Sequence, residues 1–344
     1  ISEIAALSGV SISTVSRVLA GKANTRASTR DKVLAVAQQQ GVLDNLHSGR
    51  LLLNNLMVFA PPRAFDVRSD IFYYKVIQGI AQAIAPHEVR LRYCALEENE
   101  SDTALFLEKM QQTDAALLVG IDDSHIHQLA AEMNKPCVLI NTHDRGMTLD
   151  AVSPDHYAIG FNAACHVFER GHRRMLSLTC LRRKTLYTRL HGIQEAYRHF
   201  GVPFDAQQDL IITEGFSPDE AEQALEAWLA SHPRACWPEV IFPGSMSMTS
   251  GVLRALARRQ VRVPEEMALI TTDFRWHLEN GTELPVTGIE VPCRELGIEA
   301  VHLLQHRLNR PQAPVCHLLL QGKLREAGSV RHATRHAARV ALGQ

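Results

Sequence analysis

The chain has 344 residues, more than one ordinary domain holds and ample for a sizeable core. Lys and Arg number 36 against 37 Asp and Glu, so bulk charge points to neither nucleic acid nor membrane. Hydrophobic residues at 46% and charged residues at 21% exclude a disordered chain. Apolar runs are short, and the neighbouring pair 51–53 and 56–60 is split by Asn54 and Asn55. A bilayer span needs about 20 apolar residues, so no membrane partner is expected, and the start carries no basic-then-apolar leader.

Cys94, Cys137, Cys165, Cys180, Cys236, Cys293 and Cys316 lie far apart, odd in number and without a C-x-x-C pair. That disfavours a disulfide framework and a thiolate zinc site. Reduced cysteines that mostly fill core volume are expected, and with them a cytoplasmic address.

Charge is uneven along the chain. The first 53 residues carry +3 and the remainder −4, a small basic head on a slightly acidic body. A basic head suits a polyanion, although a solvated basic face explains +3 as well. Within the head, Ile4, Ala5 and Leu7 put apolar atoms on one helical face, and Gly9 breaks the helix with a turn that a Cβ would obstruct. Ser11 or Ser13 can cap a second helix. Its Val15, Val18 and Leu19 recur at helical spacing and face inward, which turns Ser13, Thr14, Ser16 and Arg17 outward. A third helix is predicted over 29–40, with Val33, Ala37 and Val36 inward and Gly41 as its stop. Three short helices with a tight first turn read as helix-turn-helix, the second being the recognition helix. Hydroxyls and an arginine on that helix suit phosphate oxygens and base edges.

The string from Ile4 to Gly21, with Gly9-Val10-Ser11-Ile12-Ser13-Thr14-Val15-Ser16-Arg17-Val18-Leu19 at its centre, resembles the DNA-binding head of the LacI/GalR family of bacterial repressors. The family form starts slightly earlier, so a few residues are expected to precede residue 1. The resemblance implies that Ile12, Ser13 and Arg17 read bases in the major groove, with Thr14 on the same exposed face. It also implies that Ser16, Asn24 and Thr29 touch or approach phosphates. Arg17 suits a bidentate contact with guanine, and Ile12 an apolar one.

After Gly41 the family has a hinge helix that docks in the minor groove, written Y-x-P-N-x-x-A-R-x-L. Here Asn45 and Leu51 match it, while Asp44 replaces the proline, Ser48 the alanine and Gly49 the arginine. The resemblance assigns Asn45, Ser48 and Leu51 to DNA, Leu51 as a wedge between base steps. Gly49 weakens an isolated helix by about 1 kcal/mol relative to Ala, so this hinge is less stable off DNA or used differently.

From residue 54 short apolar strands alternate with amphipathic helices. Strands are predicted at 56–60, 89–93, 115–119, 137–140, 174–178, 210–213, 239–242 and 267–271. Helices are predicted at 73–85, 156–170, 190–200, 219–230 and 249–258. Such alternation gives parallel sheets covered by helices, in a body long enough for two. No phosphate-loop or nucleophile-elbow motif occurs. His302 and His306 are spaced like metal ligands but lack the Glu of H-E-x-x-H, so neither enzyme activity, metal nor cofactor is expected.

The resemblance continues through the body, in Asp114-Ala115-Ala116-Leu117-Leu118, Pro136 to Ile140, Asp155, Gly160, Gly171 to Arg174, Arg189 to Ile193, Val263 to Glu266 and Pro285 to Thr287. It implies an α/β fold: an all-α helix-turn-helix head, then a periplasmic-binding-protein-like pair of Rossmann-like subdomains joined by three crossovers, with an effector in the cleft. The corresponding division is a head at 1–43, a hinge at 44–53, a body at 54–330 and a tail at 331–344. Within the body one subdomain takes 54–152 and 288–314, the other 153–287 and 315–330.

A sugar needs bidentate polar groups for its hydroxyls and an aromatic face for its C–H surface. By position the effector residues are Asp70, Phe72, Tyr73, Arg183, Thr185, Arg189, Phe216, Ser245 and Asp273. For the aromatics the competing role is core packing, and for Arg189 and Asp273 a structural ion pair. Asp70 and Ser245 stand where the family has Asn, and Arg183 with Arg189 favours an anionic ligand such as a sugar phosphate or sugar acid. The expected partners are thus double-stranded operator DNA, a small sugar-type effector and a second copy of the chain in a homodimer. The alternatives are a ligand sensor with impaired operator binding and a sugar-acting enzyme on the same fold.

Overall fold

The computed structural model describes residues 1–22, 24–43, 51–272 and 286–333. In chain order the head comprises α1 (Ser2–Ser8), α2 (Ile12–Leu19) and α3 (Ala27–Gln39). Next come β1 (Asn55–Ala60), α4 (Ile71–Ile84), β2 (Arg90–Ala95), α5 (Thr103–Gln111), β3 (Ala115–Val119), α6 (Ser124–Glu132), β4 (Cys137–Ile140) and β5 (Asp150–Pro154). They are followed by α7 (His156–Glu169), β6 (Met175–Cys180), α8 (Lys184–His199), α9 (Ala206–Asp209), β7 (Leu210–Thr213), α10 (Pro218–Ser231), β8 (Val240–Pro243) and α11 (Met246–Arg258). The chain continues through β9 (Ala268–Thr272), β10 (Thr287–Glu290), α12 (Cys293–Asn309), β11 (His317–Leu320) and β12 (Lys323–Arg325).

Two compact units result, Ile1–Ser153 with Cys293–Leu319, and Pro154–Pro292 with Leu320–Gln344. The chain passes between them three times. Each holds a six-stranded sheet, ordered β11-β5-β4-β3-β1-β2 in the first and β12-β10-β9-β8-β6-β7 in the second. The central pairs are parallel, and β10 with β12 is antiparallel. Helices cover both faces, so β3, β4, β8 and β9 are buried at every position, and β3, β4 and β8 read as unbroken apolar runs. Because β11 joins the first sheet, the last crossing falls after Leu319 rather than after residue 314. Helix α8 starts at Lys184, before the predicted 190, and its Leu186 extends the buried period of Leu190 and Ile193 by one turn.

The head packs on Ile4, Val15, Val18, Leu19, Val33 and Ala37. Ser11, not Ser13, caps α2, its Oγ accepting from Thr14 N at 3.2 Å. Leu7 corrects the sequence reading: it is 59% exposed, and Ser8, bonded to the Ile4 carbonyl, takes the inward place one residue on. Cysteine burial was also overestimated. All seven are free, but only Cys94, Cys137 and Cys180 are buried; Cys236 lies in an exposed turn and Cys316 just outside β11.

The head is fastened to the first unit. Arg30 on α3 forks onto Asp114, just before β3, with Nη1 and Nη2 donating at 2.9 Å each. Asp114 Oδ2 also accepts from Asn54 N and Asn55 N at 2.9 and 2.8 Å. Leu52 is buried in the head's own cluster. Burial pushes the Asp114 carboxyl up, but the Arg30 and backbone hydrogen bonds outweigh it and hold it at about 2. The stability it confers is therefore complete above its ordinary pKa near 4 and is lost as pH falls toward 2.

A second fork ties the edge of the same sheet. Arg307 on α12 donates to both oxygens of Asp150 at 2.7 and 2.9 Å, and Cys316 N donates to the same carboxylate at 3.0 Å. Asp150 is 2% exposed, so removing it takes the counter-charge from the guanidinium, which keeps only backbone carbonyls, and the acceptor from the amide. Asp150→Ala is expected to cost about 3–5 kcal/mol in denaturant unfolding of the first unit. A loss below about 1 kcal/mol would show the clamp to be dispensable.

Candidate functional site

The recognition surface is the outward side of α2. Ile12 is 57% exposed, Ser13, Ser16 and Arg17 are exposed, and Thr14 is half-buried. Ser11 Oγ lies 2.9 Å from Ser13 Oγ and 2.8 Å from Thr14 Oγ1, and Arg17 Nη2 reaches Thr14 Oγ1 at 3.5 Å. These residues occupy the first two turns, where a helix entering the major groove presents side chains to base edges. Asn24 is exposed with a left-handed φ of 83°, and Thr29 is half-buried near the start of α3. Asn45 and Ser48 lie outside the described residues. Leu51 is 1% exposed, and its N–H donates to His87 Nδ1 at 3.2 Å, so its side chain is not presented to solvent in this arrangement.

The effector candidates fall in two clusters at the carboxyl ends of strands, where open α/β sheets bind ligands. In the first unit Asp70 caps α4, Oδ1 accepting from Tyr73 N at 3.0 Å, while Oδ2 accepts from Arg63 Nε at 2.8 Å. Arg63 also donates to Glu98 at 2.5 Å and lies 5.6 Å from the Tyr73 ring centroid. Burial works against the Arg63 charge, but Glu98 and Asp70 more than offset it. Tyr73 is 3% exposed, accepts from Asn141 Nδ2 at 3.1 Å and fills the space above Gly120, where a Cβ would sit 2.5 Å from the ring. Phe72 packs edge-on against it at 5.1 Å and stays half-buried. Asp70 and Tyr73 are thus built into the unit's own framework.

In the second unit the centre is Arg189, on the inner side of α8 and 7% exposed. Its Nη1 donates to the Gly244 carbonyl after β8 at 2.8 Å and to Thr272 Oγ1 at the end of β9 at 3.1 Å. Its Nη2 lies 3.0 Å from His156 Nδ1 at the start of α7. Burial, then the charges of Arg189 and Arg183, push His156 well below its ordinary value. The ring is therefore neutral, its Nδ1 accepts from Arg189, and the proton sits on Nε2. Arg183 and Thr185, at the opening of α8, are both buried. A pocket beside this cluster is lined by Thr179, Leu186, Arg189, Leu190, Phe242 and Gly244.

Glycines set the approach of the two helices. A Cβ on Gly160 of α7 would stand 2.1 Å from the Arg189 carbonyl, and one on Gly192 of α8 2.1 Å from that of Tyr157. The sequence spacing thus brings Arg183, Thr185 and Arg189 into one neighbourhood. It does not do so for Phe216, which packs on the unit's core, or for Ser245, whose Oγ caps α11 by accepting from Met248 N at 3.2 Å. Asp273 lies outside the described residues. Sequence reasoning missed His156, Thr272, Arg63 and Glu98. His156 alone had a visible signal: it stands in the second place of the pattern D-N-x-x-x-G that begins at Asp155.

A bundled head with an exposed recognition helix, followed by paired α/β units with polar strand-end clusters, defines a ligand-responsive DNA-binding regulator. Residues 1–42 match the family model described as bacterial regulatory proteins, lacI family, and residues 164–330 match the periplasmic binding protein-like domain. The chain is 28% identical over 337 residues to the HTH-type transcriptional repressor CytR of Escherichia coli K12, covering 94% of this chain and 95% of that one. Among solved structures it resembles the transcriptional regulator CelR–cellobiose complex, with a TM-score of 0.69 and 22% identity over 95% of this chain and 98% of that one. It also resembles the lac repressor dimer bound to operator and the anti-inducer ONPF, with a TM-score of 0.69 and 17% identity over 96% and 98%. The chain belongs to the lacI family of bacterial transcriptional repressors.

Two outcomes follow from this geometry. Arg17→Ala is expected to lose about 1–3 kcal/mol of specific affinity while keeping weak binding to unrelated duplexes in an anisotropy titration. Equal loss on every sequence would contradict base reading. The second concerns pH. Burial, then Arg170, lowers His166 to about 4, and His156 is also depressed. The unfolded chain takes up protons near 6.5 that the folded one refuses, so stability is full above about pH 7 and falls as pH drops toward 4. His166→Gln should flatten that decline in thermal unfolding; an unchanged slope would mean His166 is not its source.

Proposed function

We propose that this repressor binds a two-fold symmetric operator as a homodimer and that its hold responds to an anionic sugar derivative, a sugar phosphate or sugar acid, at the Arg189 pocket. The observation that carries this is geometric: Arg183 and Arg189, both buried, stand in one neighbourhood at the opening of α8, and each contributes positive field there. A group that enters such a field with negative charge gains hydrogen bonds and charge pairing together. A neutral sugar gains only the hydrogen bonds.

The symmetric operator follows from assembly. A dimer with a two-fold axis presents two identical heads, which requires two related half-sites. The lac repressor structure that this chain resembles is such a dimer on its operator.

A thermal-shift screen against neutral sugars, sugar phosphates and sugar acids tests the ligand class. At about 100 times its dissociation constant a ligand stabilises by about 2.7 kcal/mol, a rise of several degrees. The anionic sugars are expected to give that rise and the neutral ones little, with Arg189→Ala abolishing the response and sparing operator binding. Neutral sugars shifting the parent protein as much as charged ones, or a response surviving in Arg189→Ala, would contradict the assignment.

A further inference from the structure

A tethered DNA-reading head is free to turn, whereas this one is held. The ion pair between α3 and the residue preceding β3 is bidentate, and its side chains are only 10% and 19% exposed. The same carboxylate anchors Asn54 N and Asn55 N, the first backbone groups of the body. One residue group thus binds the head, the end of the connecting segment and the sheet together. Leu52 completes the attachment by packing inside the head's cluster with Ile4, Val15 and Val33. Leu51 and Leu53 on either side of it are 1% and 2% exposed, so residues 51–53 are seated.

The attachment leaves the reading surface open. Ile12, Ser13, Ser16 and Arg17 are exposed with the head in this position. Lys22, Arg26 and Lys32 remain exposed too, while the charge of Arg30 is spent on Asp114. The contact therefore does not mask DNA binding. Nor does Leu51, buried in this arrangement, supply an apolar wedge.

We propose that Arg30 and Asp114, with Leu52 as a plug, form a latch that fixes the head on the first unit in a pose ready to read DNA. They are positioning residues for operator recognition. This rests on the regulator reading above. With each head fixed on its own body, the second half-site is engaged at a high effective concentration instead of being searched for by a swinging head. Opening the latch costs that advantage without altering the contacts that either head makes with its own half-site.

The test uses the full-length dimer and two duplexes: a palindromic site selected from a random-sequence pool, and the same duplex with one half scrambled. Asp114→Asn keeps an oxygen for the Asn54 and Asn55 amides but removes the charge. Arg30→Ala removes the other partner. Each is expected to weaken binding to the palindrome roughly ten-fold and to leave the half-site within about two-fold, and the double variant to be no weaker than the singles. Amide exchange of Asn54, Asn55 and α3 should quicken in all three without DNA.

Unchanged or tighter palindrome binding in Asp114→Asn would overturn the latch as a positioning device. An equal loss on both duplexes would overturn it as well, because that marks a damaged head rather than a released one. Additive losses in the double variant would show that the pair does not act as a unit. If the parent chain selects no duplex, the regulator reading fails and the latch's DNA role with it, while slow exchange in the parent still reports a seated head.

Discussion

Burying a charge is costly unless opposite charge or fixed dipoles surround it, and the functional organisation of this chain follows from where that cost is met. Three guanidiniums meet it in three ways. Arg30 is held by a carboxylate that also gathers two backbone amides. Arg307 is held by Asp150 at the sheet edge. Arg189 donates to a carbonyl and a hydroxyl and to Nδ1 of a neutral imidazole. The first two arrangements hold parts of the chain together. The third sets a buried guanidinium in one neighbourhood with Arg183, where the anionic ligand is proposed to bind.

That distinction separates residues of the same type. Asp70 and Tyr73 read from sequence as ligand groups, yet they cap a helix, pair with Arg63 and pack over Gly120. Ser245 is likewise a helix cap. Arg189 and Arg183 are buried beside His156, whose imidazole is pushed down first by burial and then by their charges. The unit that carries this cluster depends on close helix contact at Gly160 and Gly192, so packing precision and ligand chemistry are linked there.

Much of the architecture was legible in the sequence because parallel strands buried on both faces are apolar without interruption, as in β3 and β4. The head was legible because Gly9, Ser11 and the Val15–Val18–Leu19 spacing each act locally. What escaped depended on distant partners. Nothing local in Arg30 marks it as the partner of a residue 84 positions away. Leu51 matched a wedge by position, and only the folded body shows it buried. Leu7 looked inward because an apolar residue near Ile4 in a short helix is ambiguous between neighbouring faces. The short strands β10 to β12 lack an apolar period long enough to register.

A repressor controlled by a metabolite is defined by a coupling free energy between its two ligands, and that coupling is reciprocal. The most direct test titrates a selected palindromic duplex with and without the anionic sugar that stabilises the protein best, then titrates that sugar with and without the duplex. The account predicts an affinity change of about 5–150-fold, equal in both directions, and lost in Arg189→Ala. Operator affinity identical at zero and saturating sugar would contradict it.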